Sequence, residues 1–79
     1  MKKIKWKKKK QLPEGEYPDI VVLRYKHRQW YLSIGNFDVW EQCEKKEKVV
    51  FNMDCWTDWD NINKWCYYDE FMDYIKETF

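Results

Sequence analysis

The chain contains few of the residues on which catalytic and metal sites are usually built. It has one histidine, His27, and one serine, Ser33, and neither belongs to a recognisable catalytic pattern. Its three cysteines, Cys43, Cys55 and Cys66, form no C-x-x-C pair, whereas structural zinc sites generally use ligands about two to four residues apart. We therefore expect a protein that is not an enzyme and that binds no metal and no cofactor.

The cysteines also argue against secretion. Small secreted domains carry even sets of cysteines that pair in disulfides, and this chain has three. The lysine run within residues 2–10 is followed by no apolar segment typical of a signal peptide, and no stretch reaches membrane-spanning length. We expect reduced cysteines, a cytoplasmic location and no membrane partner.

Glycine and proline are scarce, with two of each, and no low-complexity linker interrupts the chain. Charged residues make up 37% of the sequence and hydrophobic residues 44%. Their interleaving is typical of a folded chain rather than a disordered one. The sequence predicts a single domain over residues 1–79, near the small end of what folds alone.

Aromatic residues, in contrast, are abundant. They make up 20% of the chain, include six tryptophans, and concentrate between Asp54 and Tyr74. Each can bury ~150–250 Å², so we expect the rest of the domain to pack around this segment. Six tryptophans exceed what so small an interior needs, so we expect several to be partly exposed in an apolar patch. Dimerisation is the simplest use of such a patch, and the sequence predicts a homo-oligomer.

Charge is distributed unevenly along the chain. The net charge of +1 combines +7 over residues 1–28, −1 over residues 29–48 and −5 over residues 49–79. The basic beginning can pair with the acidic end within one copy or between copies, or the two can face different partners. In residues 1–10, Ile4 and Trp6 alternate with lysines, which predicts a short edge strand or a mobile basic arm.

Hydrophobic periodicity and turn residues predict an α+β fold, an antiparallel sheet of four to five strands with one C-terminal helix. Gly35-Asn36 is a glycine-first pair typical of a type II′ hairpin turn. From Tyr68 or Asp69 the period becomes helical, and acidic residues lie where the helix dipole favours them. The predicted strands are 19–26, 30–34, 37–43, 49–55 and a short one ending at 67; the predicted loops and turns are 12–18, 27–29, 44–48 and 57–63.

Two kinds of binding remain open from the residues alone. A nucleotide-like anion needs one aromatic platform and about two or three cations. A protein partner would be bound through exposed Trp, Tyr and Arg side chains, with the acidic segment attracting a basic partner. We do not expect polymeric nucleic acid, because the chain lacks overall basicity. The candidate ligand-binding residues are Lys8, Arg24, Arg28, Trp30, Trp56, Trp59 and Trp65.

Short motifs resemble a small family of uncharacterised phage and prophage proteins. Those proteins begin W-x6-L-P and close on an I-T-H-W-M-P-L-P-type segment. The similar residues here are Trp6, Leu12-Pro13-Glu14, Val21-Val22-Leu23, Ile62-Asn63 and Trp65. This chain departs from the pattern: five residues separate Trp6 from Leu12, Cys66-Tyr67-Tyr68 replaces the terminal M-P-L-P, and the predicted helix extends beyond it.

The resemblance implies a small cytosolic β-rich domain without known catalysis, and it transfers no functional residue. With the chain's size and its lack of a catalytic signature, it indicates a counter-defence protein that acts by stoichiometric binding. We expect sequestration of a small anionic nucleotide-like signal in the host cell cytosol. The alternative is a protein–protein inhibitor of a host defence or nucleic-acid-handling effector.

Overall fold

The computed structural model describes residues 4–42, 45–52 and 55–78, and within these it has one antiparallel sheet of six strands followed by a helix. This confirms the predicted α+β fold, with one strand more than expected. The strand order is β1-β6-β2-β3-β4-β5, which places the lysine-rich β1 at one edge. The elements are β1 (Lys7–Lys8), β2 (Asp19–Lys26), β3 (Gln29–Gln42), β4 (Lys45–Asn52), β5 (Cys55–Asp58), a 3-10 helix (Trp59–Asn61), β6 (Lys64–Tyr67) and α1 (Tyr68–Thr78).

β3 is one continuous strand of 14 residues, so the predicted turn at Gly35-Asn36 and the hairpin around it are wrong. Residues 29–36 pair with β2, and residues 36–42 pair with β4. Gly35 lies inside this strand. A Cβ at this position would come within 2.7 Å of the Phe51 carbonyl oxygen, which explains why the residue is a glycine. The two neighbours of β3 are therefore staggered along it, and they overlap near its middle.

The second half of the chain differs from prediction in three further places. Residues 45–48, predicted as a loop, belong to β4, and the predicted strand 49–55 is divided between β4 and β5. Thr57 and Asp58, predicted as turn residues, end β5. Asp58 then caps the 3-10 helix, accepting a hydrogen bond from the Asp60 amide at 3.3 Å. Parts of the predictions for residues 1–3, 43–44, 53–54 and 79 lie outside the described residues.

Three local predictions are confirmed. β2 spans the predicted residues 19–26, β6 ends at Tyr67, and α1 begins at Tyr68. The β2–β3 connection is a two-residue turn in which His27 and Arg28 have φ of 53° and 64°. Positive φ at both central residues is the geometry of a type I′ turn, whose twist matches that of the strands it joins.

One face of the sheet, the core face, holds the main hydrophobic cluster. Side chains from the four central strands meet there, and Trp59 and Ile62 pack over them from the 3-10 segment. Aromatic rings contact each other edge-on within the cluster, with Phe37 and Trp59 centroids 4.8 Å apart. The buried cluster comprises Ile20, Val22, Phe37, Val50, Trp59, Ile62 and Trp65.

The opposite face, the open face, is covered in part. Side chains alternate along each strand, so Val21 and Cys66 point away from the core cluster. Both are fully buried, and α1 contacts β2 and β6, the two strands that carry them. The remainder of the open face, along β3 and across β4 and β5, carries half-exposed hydrophobic side chains around Val49, which is fully buried.

Candidate functional site

The lysine-rich segment is held to the domain through its backbone. Trp65 Nε1 donates hydrogen bonds to the carbonyl oxygens of Lys8 and Gln11, at 3.2 and 2.8 Å. Trp59 Nε1 donates to the Lys9 carbonyl oxygen at 2.9 Å. Two buried indoles thus hold residues 8–11 by their backbone carbonyl oxygens, and these bonds involve no side chain of residues 8–11.

Two lysine side chains of this segment also bond to the domain: Lys9 Nζ donates to the Asp60 carbonyl oxygen at 3.3 Å, and Lys7 forms an ion pair. The Lys7 ammonium group lies 2.8 Å from Glu70 Oε1, on α1. It also lies 5.4 Å from the ring centroid of Trp65 and 5.1 Å from that of Tyr67, within the range of cation–π attraction. The basic beginning of the chain is therefore paired with its acidic end inside one copy, at this ion pair.

A cleft of about 590 Å³, the cationic cleft, opens beside this ion pair. Its volume is within the range of small-molecule sites. Trp6, which is half-buried, lines it together with exposed lysines. The side chains of Lys5, Lys8 and Lys10 take part in none of the ion pairs formed among the described residues. The full lining is Lys5, Trp6, Lys7, Lys8, Lys10, Gln11 and Glu70.

A second cleft of about 420 Å³ meets the first at Trp6. It is lined by Ile4, Trp6, Phe71 and Tyr74, so its walls are predominantly hydrophobic, and two of them come from α1. Trp6 therefore has an apolar cleft and a positively charged one beside it. A ligand with a flat apolar part and an anionic part fits this juxtaposition chemically.

Two of the predicted platform residues lie in the core. Trp59 is 4% exposed and Trp65 is 0% exposed. Their ring centroids are 6.1 Å apart, and both indole N–H groups are bonded to backbone carbonyls. Neither ring offers an open face to a ligand in this conformation; their contribution is to position the lysine segment.

The other two predicted platforms, Trp30 and Trp56, lie on the open face. Trp30 contacts Tyr25, with ring centroids 5.0 Å apart, and Trp56 contacts Trp40 at 5.4 Å. We call the exposed hydrophobic residues of this face the apolar patch. It consists of Tyr25, Trp30, Leu32, Ile34, Phe51 and Trp56, which are 40–56% exposed.

The predicted cations are not brought together. Lys8 lines the cationic cleft, whereas Arg28 lies in the β2–β3 turn and Arg24 lies on the core face of β2. Arg24 is half-buried, and its Nε has no hydrogen-bond partner among the described residues. The seven predicted residues thus divide among the cationic cleft, the core, the apolar patch, the turn and β2.

The prediction named only Lys8 among the seven lining residues of the cationic cleft, and it omitted Trp6 and the other lysines. The sequence carried a signal for them, since lysines surround Trp6 in residues 2–10. That signal favours an extended basic arm as readily as a cleft, because a cleft requires α1 to return beside this segment. The return depends on tertiary packing, which periodicity does not reveal.

Cys66 is fully buried, and both charged groups of the ion pair act on it electrostatically. Burial, with a smaller contribution from the Glu70 carboxylate and against the opposing effect of Lys7, raises the pKa of its thiol from 9.0 to about 11. The thiol is therefore protonated at neutral pH and is a poor nucleophile. In the described part of the chain, no cluster of three or more His, Cys, Asp or Glu side chains could hold a metal ion.

Comparison with protein-family models, with curated proteins and with solved structures finds no match to this chain. The resemblance to the phage proteins therefore stays a prediction. Within residues 4–42, 45–52 and 55–78, no helix has both the length and the apolarity needed to cross a membrane.

Proposed function

We propose that this protein binds a small anionic, nucleotide-like ligand without turning it over. The observation that carries the proposal is the position of Trp6 between the cationic cleft and the apolar cleft. The base would stack on Trp6, and the phosphates would lie near Lys5, Lys8 and Lys10. Base–aromatic stacking contributes ~1–3 kcal/mol per base, and ammonium groups supply charge-assisted hydrogen bonds to phosphate.

The lining of the cationic cleft supports binding rather than catalysis. Its groups are lysines, an indole, the Gln11 amide and the Glu70 carboxylate, which already pairs with Lys7. Serine, cysteine and histidine nucleophiles are absent from this described lining. The resemblance to phage proteins supplies the setting for the proposal: stoichiometric sequestration of a nucleotide signal in the cytoplasm of a host cell, as a counter-defence.

Calorimetry on the full chain with a panel of mononucleotides, linear oligonucleotides and cyclic dinucleotides tests the proposal. We expect at least one member to bind. Trp6→Ala should raise its Kd by about tenfold or more, as expected for loss of one stacking platform. Lys8→Gln and Lys10→Gln should each weaken binding several-fold at low salt, with the difference shrinking as salt is added.

Lys48→Gln is the matched control, because Lys48 is an exposed lysine on β4, away from the cleft. It should leave the Kd unchanged. Absence of heat with every nucleotide, from a folded protein, would refute the proposal. So would a Kd that responds equally to Lys8→Gln and Lys48→Gln, because binding would then depend on overall charge.

The apolar patch favours a second candidate, a protein inhibitor of a host defence or nucleic-acid-handling effector. Exposed Trp and Tyr side chains are typical of interface hot spots, and Trp30 and Trp56 are both more than half exposed. This candidate predicts no nucleotide binding and a stable complex with a purified effector. Trp30→Ser should weaken that complex, and Trp6→Ala should not.

A further inference from the structure

The apolar patch is not used by the cationic cleft. The cleft lies at the β1 edge, whereas the patch follows β3 from Trp30 to Ile34 and crosses β4 and β5 at Phe51 and Trp56. It lies on the open face, where its six members are 40–56% exposed. A contiguous apolar surface of this kind marks an interaction site.

The exposed area of the patch matches what a dimer needs. Four aromatic and two aliphatic side chains are about half exposed, so the patch presents on the order of 500 Å² of apolar surface. A standard interface buries ~800 Å² per partner. A homodimer interface is roughly 65% apolar, so each copy must supply ~500 Å² of apolar area.

The charges around the patch are of opposite sign at its two ends. At the Trp30 end, Arg28 lies in the turn and Lys64 lies across from Leu23 on the open face. At the Trp56 end, Asp58 lies across from Val49, and Glu47 lies across from Trp40. None of these four charges belongs to an ion pair formed among the described residues.

This polarity distinguishes a second copy from an arbitrary partner. A two-fold axis places the same surface on both subunits. Two copies packed face to face and antiparallel bring the basic end of each patch over the acidic end of the other. The parallel arrangement would bring like charges together, which disfavours it.

We propose that the apolar patch is the interface of a two-fold symmetric homodimer, with the two open faces packed against each other in the antiparallel arrangement. Sheets packed face to face lie ~10 Å apart with their side chains interdigitated. Trp30 and Leu32 of one copy then lie near Phe51 and Trp56 of the other. The proposal does not depend on the ligand, so it can fail while the proposed function stands, and the reverse.

Sedimentation equilibrium of the full chain tests this proposal. We expect a species of twice the 10.1 kDa chain mass. Trp30→Ser and Trp56→Ser should each raise the dimer Kd by about tenfold or more, as truncation of a central aromatic residue does. Circular dichroism should show that both variants remain folded, because both side chains are more than half exposed.

Tyr31→Ser is the matched control. Tyr31 follows Trp30 in β3 and is 40% exposed, but its side chain lies on the core face of the sheet. It should leave the dimer Kd within about twofold. Lys64→Glu should weaken the dimer at low salt, with a smaller effect at high salt, because it places an acid over the acidic end of the partner.

Two results would overturn the proposal. One is a monomer at every protein concentration up to about millimolar, which would leave the patch for a different protein. The other is a dimer that Tyr31→Ser weakens as much as Trp30→Ser does, because the interface would then lie elsewhere.

Discussion

Gly35 occupies a position in β3 where the neighbouring strand leaves no room for a side chain. A Cβ there would lie 2.7 Å from the Phe51 carbonyl oxygen and 2.9 Å from Val50 Cγ1. Its φ is not in the left-handed region, so close approach, and not backbone freedom, explains the glycine. The contact lies at the point where β3 passes from pairing with β2 to pairing with β4.

We expect Gly35→Ala to lower the free energy of unfolding by ~1–3 kcal/mol, as overpacking a tight site does. One of the two contacts is a backbone atom, which cannot move aside as a flexible side chain would. Urea denaturation measures the change. Val39→Ala, at an exposed position of the same strand, should change stability by about 0.5 kcal/mol or less. Equal effects from the two variants would mean that β4 shifts to accommodate the added methyl group without loss of stability.

This position shows the limit of prediction from the sequence at the residue scale. Gly35-Asn36 is a hairpin signal because it permits a turn, but nothing local requires one. The competing requirement comes from Phe51 and Val50, about fifteen residues later in the chain. In contrast, the turn at His27-Arg28 could be predicted, because strong strand patterns flank it on both sides.

At the scale of elements, β6 and the 3-10 helix clamp the lysine segment through two indole N–H groups. Trp65 bonds the carbonyls of Lys8 and Gln11, and the Gln11 amide closes the turn by donating to the Lys8 carbonyl at 3.0 Å. Removing the indole N–H would leave these part-buried carbonyl groups without this donor.

We expect Trp65→Phe to loosen residues 8–11 and to lower the free energy of unfolding by ~1–3 kcal/mol. Hydrogen exchange should show faster exchange of the Gln11 amide. Trp40→Phe is the matched control, since it also removes an indole bond, at 2.9 Å to Asp38 within β3, but it lies away from the lysine segment. Unchanged Gln11 exchange in Trp65→Phe would show that pairing of β1 with β6 suffices to hold the segment.

The elements that could be predicted are those with strong local patterns. The β-branched run of β2, the short strand ending at Tyr67 and the acidic start of α1 all lie where periodicity and helix-dipole rules place them. The charged residues 45–48 could not be recognised as strand, because their pairing with β3 comes from the hairpin and not from their side chains. The roles of Trp59 and Trp65 could not be predicted for a related reason. Composition does not show whether an indole ring is buried, where it holds the lysine segment, or exposed, where it could stack on a ligand.

At the scale of the whole molecule, the buried thiol couples stability to alkaline pH. Folding raises the pKa of Cys66 from 9.0 to about 11, chiefly by burial. Between these values the unfolded chain loses the proton while the folded chain keeps it. The free energy of unfolding should therefore fall as the pH rises from about 9 to about 11.

Urea denaturation at several pH values, on the wild type and on Cys66→Ala, isolates this effect from the titration of lysines and tyrosines. The stability difference between the two proteins should shift in favour of Cys66→Ala across that pH window. A difference that stays constant from pH 8 to pH 11 would show that the thiol ionises equally easily in both states. Alkylation with iodoacetamide at pH 8 adds a second readout: exposed Cys55 should react well before buried Cys66.

Pairing of the oppositely charged ends within one copy was one of the arrangements that the sequence left open, and the ion pair of Lys7 with Glu70 is a contact of this kind. What the sequence could not reveal is that Lys5, Lys8 and Lys10 line a cleft and take part in none of the ion pairs among the described residues. That outcome follows from the path of the backbone, which Trp59 and Trp65 determine.

Because the clamp holds carbonyl groups, it does not depend on which amino acids stand at positions 8, 9 and 11. Every residue type carries the same carbonyl. The side chains at positions 5, 8 and 10 can therefore be exchanged while the scaffold beneath them is kept. Replacing those lysines with acidic residues would reverse the charge of the cleft without changing the backbone that supports it. The same scaffold can therefore hold ligands of either charge.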